Sequence, residues 1–292
     1  GLAGCAAKTT VAPLDRIKIL LQGHNHHYSH LGVLSTLNHV QQKEGVYGWY
    51  KGNGVHMIRV FPYAAIQFTS YEIYGRVLKV YMERHPRIAS LLSGSLAGLT
   101  AVIFTYPLDV VRSRIAFQVA GEHIYSGFVH AVQSIYKDGG VYSLYKGIVP
   151  TLLGMVPYAG LSFYTFHLLK TKVLENFPEF CGKPCPRNTG GLVLILPAKL
   201  VCGGLAGAVA QTFSYPLDVV RRKMQLSGMY SKKVEGNWLR VLVHVYRDHG
   251  VQGGLYRGLS INYIRALPMQ AVSFTVYELC KQWLGLDTGV ER

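Results

Sequence analysis

The sequence predicts an all-α membrane protein with six transmembrane helices in three tandem helix–short helix–helix repeats related by pseudo-threefold symmetry. Three observations predict it. Long apolar stretches recur, and spanning a bilayer takes about 20 such residues. The same landmark residues return three times in register. Charged residues make up only 15% of the chain and hydrophobic residues 49%, against about 25% charged in soluble domains. The high apolar content also excludes disorder.

The spans follow in chain order. Ile88–Leu108, Gly147–Leu169 and Leu200–Leu217 contain no Lys, Arg, Asp or Glu. Gly52–Tyr71 and Gly258–Tyr277 are each broken by one arginine, Arg59 and Arg265, and Gly1–Leu14 only by Lys8. The short connecting helices are expected near Leu31–Glu44, Gly127–Asp138 and Asn237–His249, where apolar residues mix with polar ones at helical intervals.

Four landmarks define the repeat. Pro13-Leu14-Asp15-Arg16-Ile17-Lys18 returns as Pro107-Leu108-Asp109-Val110-Val111-Arg112 and as Pro216-Leu217-Asp218-Val219-Val220-Arg221. A glycine stands nine residues before each proline: Gly4, Gly98 and Gly207. An aromatic-basic-glycine triplet follows, ending at Gly52, Gly147 and Gly258, and then a second proline: Pro62, Pro157 and Pro268. The expected division is 1–79 for repeat 1, 80–175 for repeat 2, an inserted loop at 176–191, and 192–292 for repeat 3. Repeat 1 has fewer residues ahead of its glycine than repeat 2, which reads as a first helix shortened at its N-terminus. The pairs Gly94/Gly98 and Gly203/Gly207 have the four-residue spacing that lets membrane helices approach closely.

These motifs, three copies of Pro-x-Asp-x-x-Lys/Arg with Asp/Glu/His-Gly and aromatic-Lys/Arg-Gly behind each, resemble the mitochondrial carrier family over essentially the whole chain. Within that family, Lys8-Thr-Thr-Val-Ala-Pro13-Leu-Asp15, Gly52-Asn53-Gly54, Pro157-Tyr158-Ala159-Gly160 and the stretch from Arg257 to Arg265 resemble the coenzyme A and adenine-nucleotide-type carriers, and Gly154-Met155 resembles the nucleotide-type carriers. The resemblance implies a multi-pass protein of the mitochondrial inner membrane, working by alternating access, acting as a monomer, binding cardiolipin, and needing no cofactor. It also implies an antiporter rather than an enzyme.

Asp15/Lys18, Asp109/Arg112 and Asp218/Arg221 are each three residues apart, so each pair shares a helix face. Ionised groups inside a membrane normally face a bundle interior or a wet cavity. Carried over from the family, the pairs Asp15–Arg112, Asp109–Arg221 and Asp218–Lys18 would close the cavity on the matrix side, beside kinks at Pro13, Pro107 and Pro216. Gln22 and Gln225 stand where the family places braces, and Ala116 stands in the third such place. The cytoplasmic gate is weaker. Glu72 has Gly75 where a base belongs, with Arg76 one place late, and His167 replaces an acid before Lys170. Glu278 and Lys281 are complete. Glu72–Lys170 and a contact of His167 with Lys281 are the expected pairs.

The candidate substrate site lies at mid-depth. Arg59, Gly154 and Arg265 stand three residues before the even-helix prolines, with His56, Thr151 and Asn262 one turn earlier and Lys8 on the first helix. Lys8, Arg59 and Arg265 read as unpaired cations that bind phosphate, since the guanidinium fork grips two oxygens. Gly154 leaves flat space for a purine on Met155 and Tyr158. Backbone N–H groups at Gly52, Gly127, Gly147 and Gly258 are candidate sites for an anionic lipid headgroup.

Competing readings stay open: an ADP/ATP or ATP-Mg/phosphate exchanger, or a basic protein that binds nucleic acid or membrane without transport. The excess of 30 Lys+Arg over 15 Asp+Glu invites the last, but the basic residues sit within or beside apolar spans and form no basic helical stripe. Metal binding is not expected. His24, His26, His27 and His30 lack accompanying acids or cysteines and read as surface, and Cys181/Cys185 read as an ordinary loop.

Overall fold

The structure is a computed structural model that describes residues 2–25, 28, 31–82, 86–119, 124–184, 192–229 and 236–283. Its helices are α1 (Leu2–Gln22), α2 (Val33–Gly48), α3 (Asn53–Tyr81), α4 (Pro86–Phe117), α5 (Phe128–Leu144), α6 (Ile148–Asn176), α7 (Pro178–Cys181), α8 (Leu196–Gln225), α9 (Trp238–His249) and α10 (Leu259–Trp283). One departure from an all-helical chain spans the insertion and the first residues of repeat 3. There α7 leads into two three-residue strands, Gly182–Pro184 and Leu192–Leu194, paired antiparallel.

Six of these helices are long, and each carries a proline inside: Pro13, Pro62, Pro107, Pro157, Pro216 and Pro268. A helix of 29 residues, the length of α3 and of α6, measures about 44 Å at 1.5 Å per residue. The long helices close into a ring through pairs that join neighbouring repeats. α3 packs on α4, α6 on α8, and α10 on α1. The odd helices α1, α4 and α8 also touch one another, which brings their Pro-x-Asp segments together.

Burial is uneven along the bundle. The apolar core lies at one end, beneath the connectors, where Val110 and Val111 pack with Ala131 and Ile135, and Val219 and Val220 with Val241 and Val245. The flanks are the reverse: Phe68, Phe104, Val156, Phe163, Phe213 and Ile264 are exposed. Among the described residues two helices, over Ala89–Phe117 and Ile148–Asn176, are long and apolar enough to cross a membrane. In the other four, charges and glycines interrupt the apolar run.

The connectors extend further than expected, because α2 and α5 continue past a break at Gly45 and at Gly139-Gly140. Gly45, Gly140 and Gly250 hold φ of 69°, 63° and 69°, a left-handed setting that glycine adopts without steric cost. This is why Glu44-Gly45 and His249-Gly250 recur in the sequence, while in the second repeat the positive φ falls on Gly140, one residue after Asp138-Gly139. The small-residue spacing acts on one helix only. A Cβ at Gly94 would meet Tyr71 at 3.9 Å and one at Gly98 would meet Met155 at 4.0 Å, whereas Gly203 and Gly207 face open space.

Gly52, Gly147 and Gly258 begin the even helices with φ of 81°, 89° and 83°. Each also lies against an odd helix. A Cβ at Gly147 would stand 2.9 Å from the Arg221 carbonyl oxygen. Gly147→Ala is therefore expected to destabilise by about 1–3 kcal/mol, from strain plus displaced backbone. Gly160→Ala, on the same helix with nothing nearby, should be neutral or slightly stabilising. Thermal unfolding of the two variants checks the contrast.

One charged cluster ties a connector to the bundle. Arg16, fully buried, donates to the carbonyl oxygens of Ala116 at 3.2 Å and Gln118 at 2.8 Å, to that of Gly48, and to Glu44 at 2.9 Å. Lys51 stands 2.8 Å from the same carboxylate. Burial pushes the Glu44 carboxyl up, but hydrogen bonds from Arg16 and Lys51 outweigh it and hold the group below its ordinary value of 4.5. A depressed carboxylate adds stability above its unfolded pKa and loses it as pH falls. The stability gap between wild type and Glu44→Gln should thus be full near pH 7 and shrink below pH 4.5.

Candidate functional site

The ring of long helices encloses a cavity of about 640 Å³, lined by residues of α1, α3, α4, α6 and α8. Toward the core end it continues into a smaller polar space of about 190 Å³. Lys8, His56, Arg59, Asp218 and Arg221 line both. Register within each repeat explains the convergence. Lys8 and Asp15 are seven residues apart on α1, two helical turns, and so face the same way. The same argument aligns Gln211 with Asp218 on α8, where the Gln211 amide donates to the Asp218 carboxylate at 2.9 Å.

The smaller space is floored by ion pairs between odd helices. Arg112 donates to Asp15 at 2.8 Å, and Arg221 donates to Asp109. The third expected pair is not formed. Among the described residues neither Lys18 nor Asp218 takes part in an ion pair, though both line the floor. A lysine at this place is shorter than the arginines of the other two repeats and presents a single ammonium.

Two further corrections concern the expected substrate cations. Arg59 is 2.8 Å from Asp109, and Arg265 is 2.5 Å from Asp15. They are paired, not free, because a guanidinium on three methylenes reaches one turn beyond its own depth. Each of these two acids thus holds two arginines. Lys8 remains without an ion pair among the described residues. Charges lining the floor are seven cationic (Lys8, Lys18, Arg59, Arg112, Arg221, Arg222, Arg265) against three acidic (Asp15, Asp109, Asp218). The floor is strongly positive even with its pairs made.

The remaining site residues divide. Gly154, Met155 and Tyr158 line the larger cavity, with Tyr63 and Val60 across from them on α3. His56 lines both spaces and is buried, with neither ring nitrogen hydrogen-bonded. Thr151 also lines the cavity, but its hydroxyl is committed to the Gly147 carbonyl oxygen at 2.7 Å. Asn262 is buried with its amide unpartnered and is not in the cavity wall.

The braces differ from each other. Gln225 accepts from Ser113 at 3.0 Å and from Arg222 at 2.9 Å, and donates to the Tyr106 hydroxyl at 3.2 Å. Gln22 is buried in the floor wall. Sequence reasoning missed Arg222, Tyr106 and Tyr215. Tyr106 and Tyr215 stand directly before Pro107 and Pro216, stack on Tyr145 and Tyr256, and donate to the carbonyl oxygens of Lys146 and Arg257. The signal was present as Tyr-Pro in two of three repeats. Gly32 was also missed. It caps α2 where Gly127 caps α5, both in extended backbone.

At the opposite end no ion pair joins the even helices among the described residues. Glu72 is 70% exposed, lies 3.9 Å from Arg76 on its own helix, and is not paired with Lys170. The late position of Arg76 makes it an i,i+4 neighbour, which is nearer than any residue across the mouth. The side chains of Glu278 and Lys281 lie outside the described residues, as do His26, His27, His30 and Cys185. Among the described residues no group of three His, Cys, Asp or Glu could hold a metal ion.

A ring of proline-bearing helices around a cationic cavity, built three times over and charge-paired at one end, defines a solute carrier. The chain belongs to the mitochondrial carrier protein family, whose model matches residues 1–81, 83–177 and 194–288. It is 56% identical over 289 residues to solute carrier family 25 member 16 of Mus musculus, covering 98% of this chain and 87% of that protein. It is 41% identical over 309 residues to the mitochondrial carrier protein CoAc1 of Arabidopsis thaliana, covering 97% and 88%. With the mitochondrial coenzyme A transporter of Rattus norvegicus it shares 41% over 282 residues, covering 95% and 84%.

Proposed function

We propose that the chain is a six-span carrier of the mitochondrial inner membrane that moves coenzyme A or a related adenine nucleotide by alternating access. The observation that carries the reading is the cavity itself, where Lys8 and Arg59 line both spaces and Arg265 joins them in a polar floor of excess positive charge. A polyanion is the ligand that such a floor selects. Coenzyme A carries a pyrophosphate and a 3′-phosphate on adenosine, which matches three cations and a wall containing Met155 and Tyr158. The names of the Arabidopsis and rat relatives support the same class. The exposed apolar flanks support burial of the helices in lipid, since a soluble surface rarely carries such continuous apolar area.

The pairing of Arg59 with Asp109 and of Arg265 with Asp15 supports a mechanism. Incoming phosphates and the gate carboxylates compete for the same two guanidiniums. Binding of substrate withdraws Arg59 and Arg265 from the gate and leaves only Asp15–Arg112 and Asp109–Arg221 to hold it. A ligand shifts an equilibrium only by its different affinity for the two states, and this competition is that difference. The end where Glu72 is not paired with Lys170 is assigned to the cytoplasm and the end with Asp15, Asp109 and Asp218 to the matrix, so that the charge-paired floor belongs to a cytoplasm-facing state. The backbone N–H groups at the helix starts marked by Gly52, Gly127, Gly147 and Gly258 would dock an anionic headgroup, cardiolipin in this family.

The test is exchange by the purified protein in proteoliposomes, loaded in turn with coenzyme A, ADP, ATP and a dicarboxylate. Coenzyme A is expected to exchange fastest. Exchange confined to ADP and ATP would replace the coenzyme A reading with that of an ADP/ATP-type exchanger.

A further inference from the structure

The three gate acids repeat, but their partners do not. Asp15 receives Arg112 from the following odd helix and Arg265 from the preceding even helix. Asp109 receives Arg221 and Arg59 in the same two ways. Repeat register assigns the corresponding place beside Asp218 to Gly154, which has no side chain to offer. A Cβ at Gly154 would stand 3.5 Å from the Cβ of Leu217, the residue next to Asp218. That is ordinary contact, and Gly154 leaves the cavity wall there without a side chain. Asp218 enters no ion pair among the described residues, and the amide of Gln211 at 2.9 Å is its recorded partner. Both Gly154 and Asp218 line the larger cavity, with Met155, Tyr158 and Ser214.

We propose that the substrate completes this third station, with Asp218 accepting a hydrogen bond from the exocyclic amine of an adenine ring that occupies the space left by Gly154. The inference rests on the nucleotide reading above and adds to it a residue that selects the base. An ionised carboxylate accepts hydrogen bonds and cannot donate them. It therefore favours the C6 amine of adenine and repels the C6 oxygen of hypoxanthine at the same position. Asparagine can turn either its oxygen or its amine toward the ligand, so it serves both bases. Gly154 and Asp218 would then work together: the missing arginine leaves a cavity wall without a side chain and an acid without a cationic partner among the described residues.

The test compares exchange of coenzyme A with that of its deamino analogue, which carries hypoxanthine in place of adenine. Wild type should prefer coenzyme A by about tenfold or more, because a polar site left facing the wrong group rejects the analogue strongly. Asp218→Asn should bring the two substrates within about threefold of each other. Should that variant fail to reconstitute, Gly154→Arg serves instead. It places a guanidinium on Asp218, and coenzyme A uptake should fall about tenfold or more while the unfolding temperature holds or rises. Equal exchange of both substrates by wild type overturns the role of Asp218, as does undiminished preference in Asp218→Asn or undiminished uptake by Gly154→Arg. Failure of both substrates to exchange, while a dicarboxylate does, overturns the nucleotide reading and Asp218's role with it.

Discussion

Arg265→Ala should reduce coenzyme A exchange by about a hundredfold or more and leave a folded protein. Arg265 stands at the floor of the cavity, 2.5 Å from Asp15, and is assigned both a phosphate and a gate carboxylate in turn. Removing one partner of a desolvated charge pair costs about 2–5 kcal/mol, and each 1.4 kcal/mol is tenfold. The fold survives because Asp15 keeps Arg112 at 2.8 Å. Arg265→Lys separates charge from shape. The ammonium restores the charge but not the two-pronged grip on phosphate oxygens, so exchange should return only in part. The measurement is initial exchange rate in proteoliposomes, with thermal unfolding as the fold control. Exchange at the wild-type rate by Arg265→Ala would remove this arginine from the transport path and break the competition argument.

That argument shows where sequence reading stops. Spacing reveals which face a residue occupies, because helical geometry is fixed at 3.6 residues per turn. It placed Asp15, Asp109 and Asp218 toward one axis and set Lys8 on the same side as Asp15, and the cavity contains all four. Spacing does not reveal reach. Arg59 and Arg265 were assigned to a depth with no acid, yet a long side chain spans a further turn, and both meet an aspartate of a neighbouring repeat. The same limit explains Lys18. Its motif position equals that of Arg112 and Arg221, but the shorter ammonium leaves Asp218 without its expected pair. The strands at Gly182–Pro184 and Leu192–Leu194 were not legible either. The insertion has no counterpart in the other repeats, so symmetry gave no guide there.

Local punctuation was legible for a physical reason. A glycine at positive φ is a requirement of the backbone, so Glu44-Gly45, Gly139-Gly140 and His249-Gly250 mark breaks wherever the repeat needs them. Gly32 escaped because His30-Leu31 precedes it where Tyr125-Ser126 precedes Gly127, although both glycines adopt the same extended conformation. The pairing of Tyr106 with Tyr145 and of Tyr215 with Tyr256 was equally hidden. These rings are far apart in sequence, and only the return of the even helix beside the odd one brings them into stacks 6.1 Å apart.

The unequal filling of the three acids leads to the second large effect. Asp15→Asn and Asp109→Asn should each destabilise the protein strongly, whereas Asp218→Asn should cost little. Asp109 is buried and holds Arg221 and Arg59 together. Neutralising it leaves two guanidiniums facing each other without a counter-charge, and breaking a buried pair in this way costs about 3–5 kcal/mol. Asp15 stands in the same position between Arg112 and Arg265. Asp218 is only partly buried and has an amide partner, so its loss is that of one hydrogen bond, about 1 kcal/mol. Asparagine keeps the volume of aspartate, so packing is unchanged and the comparison isolates charge. Thermal unfolding in one detergent should rank Asp218→Asn well above the other two. A threefold-symmetric gate predicts equal losses instead, and three equal shifts would mean that Lys18 closes on Asp218 in the protein as it works. Under the unequal arrangement, the interface of repeats 3 and 1 at Lys18 is the weakest of the three, and the matrix gate parts there first.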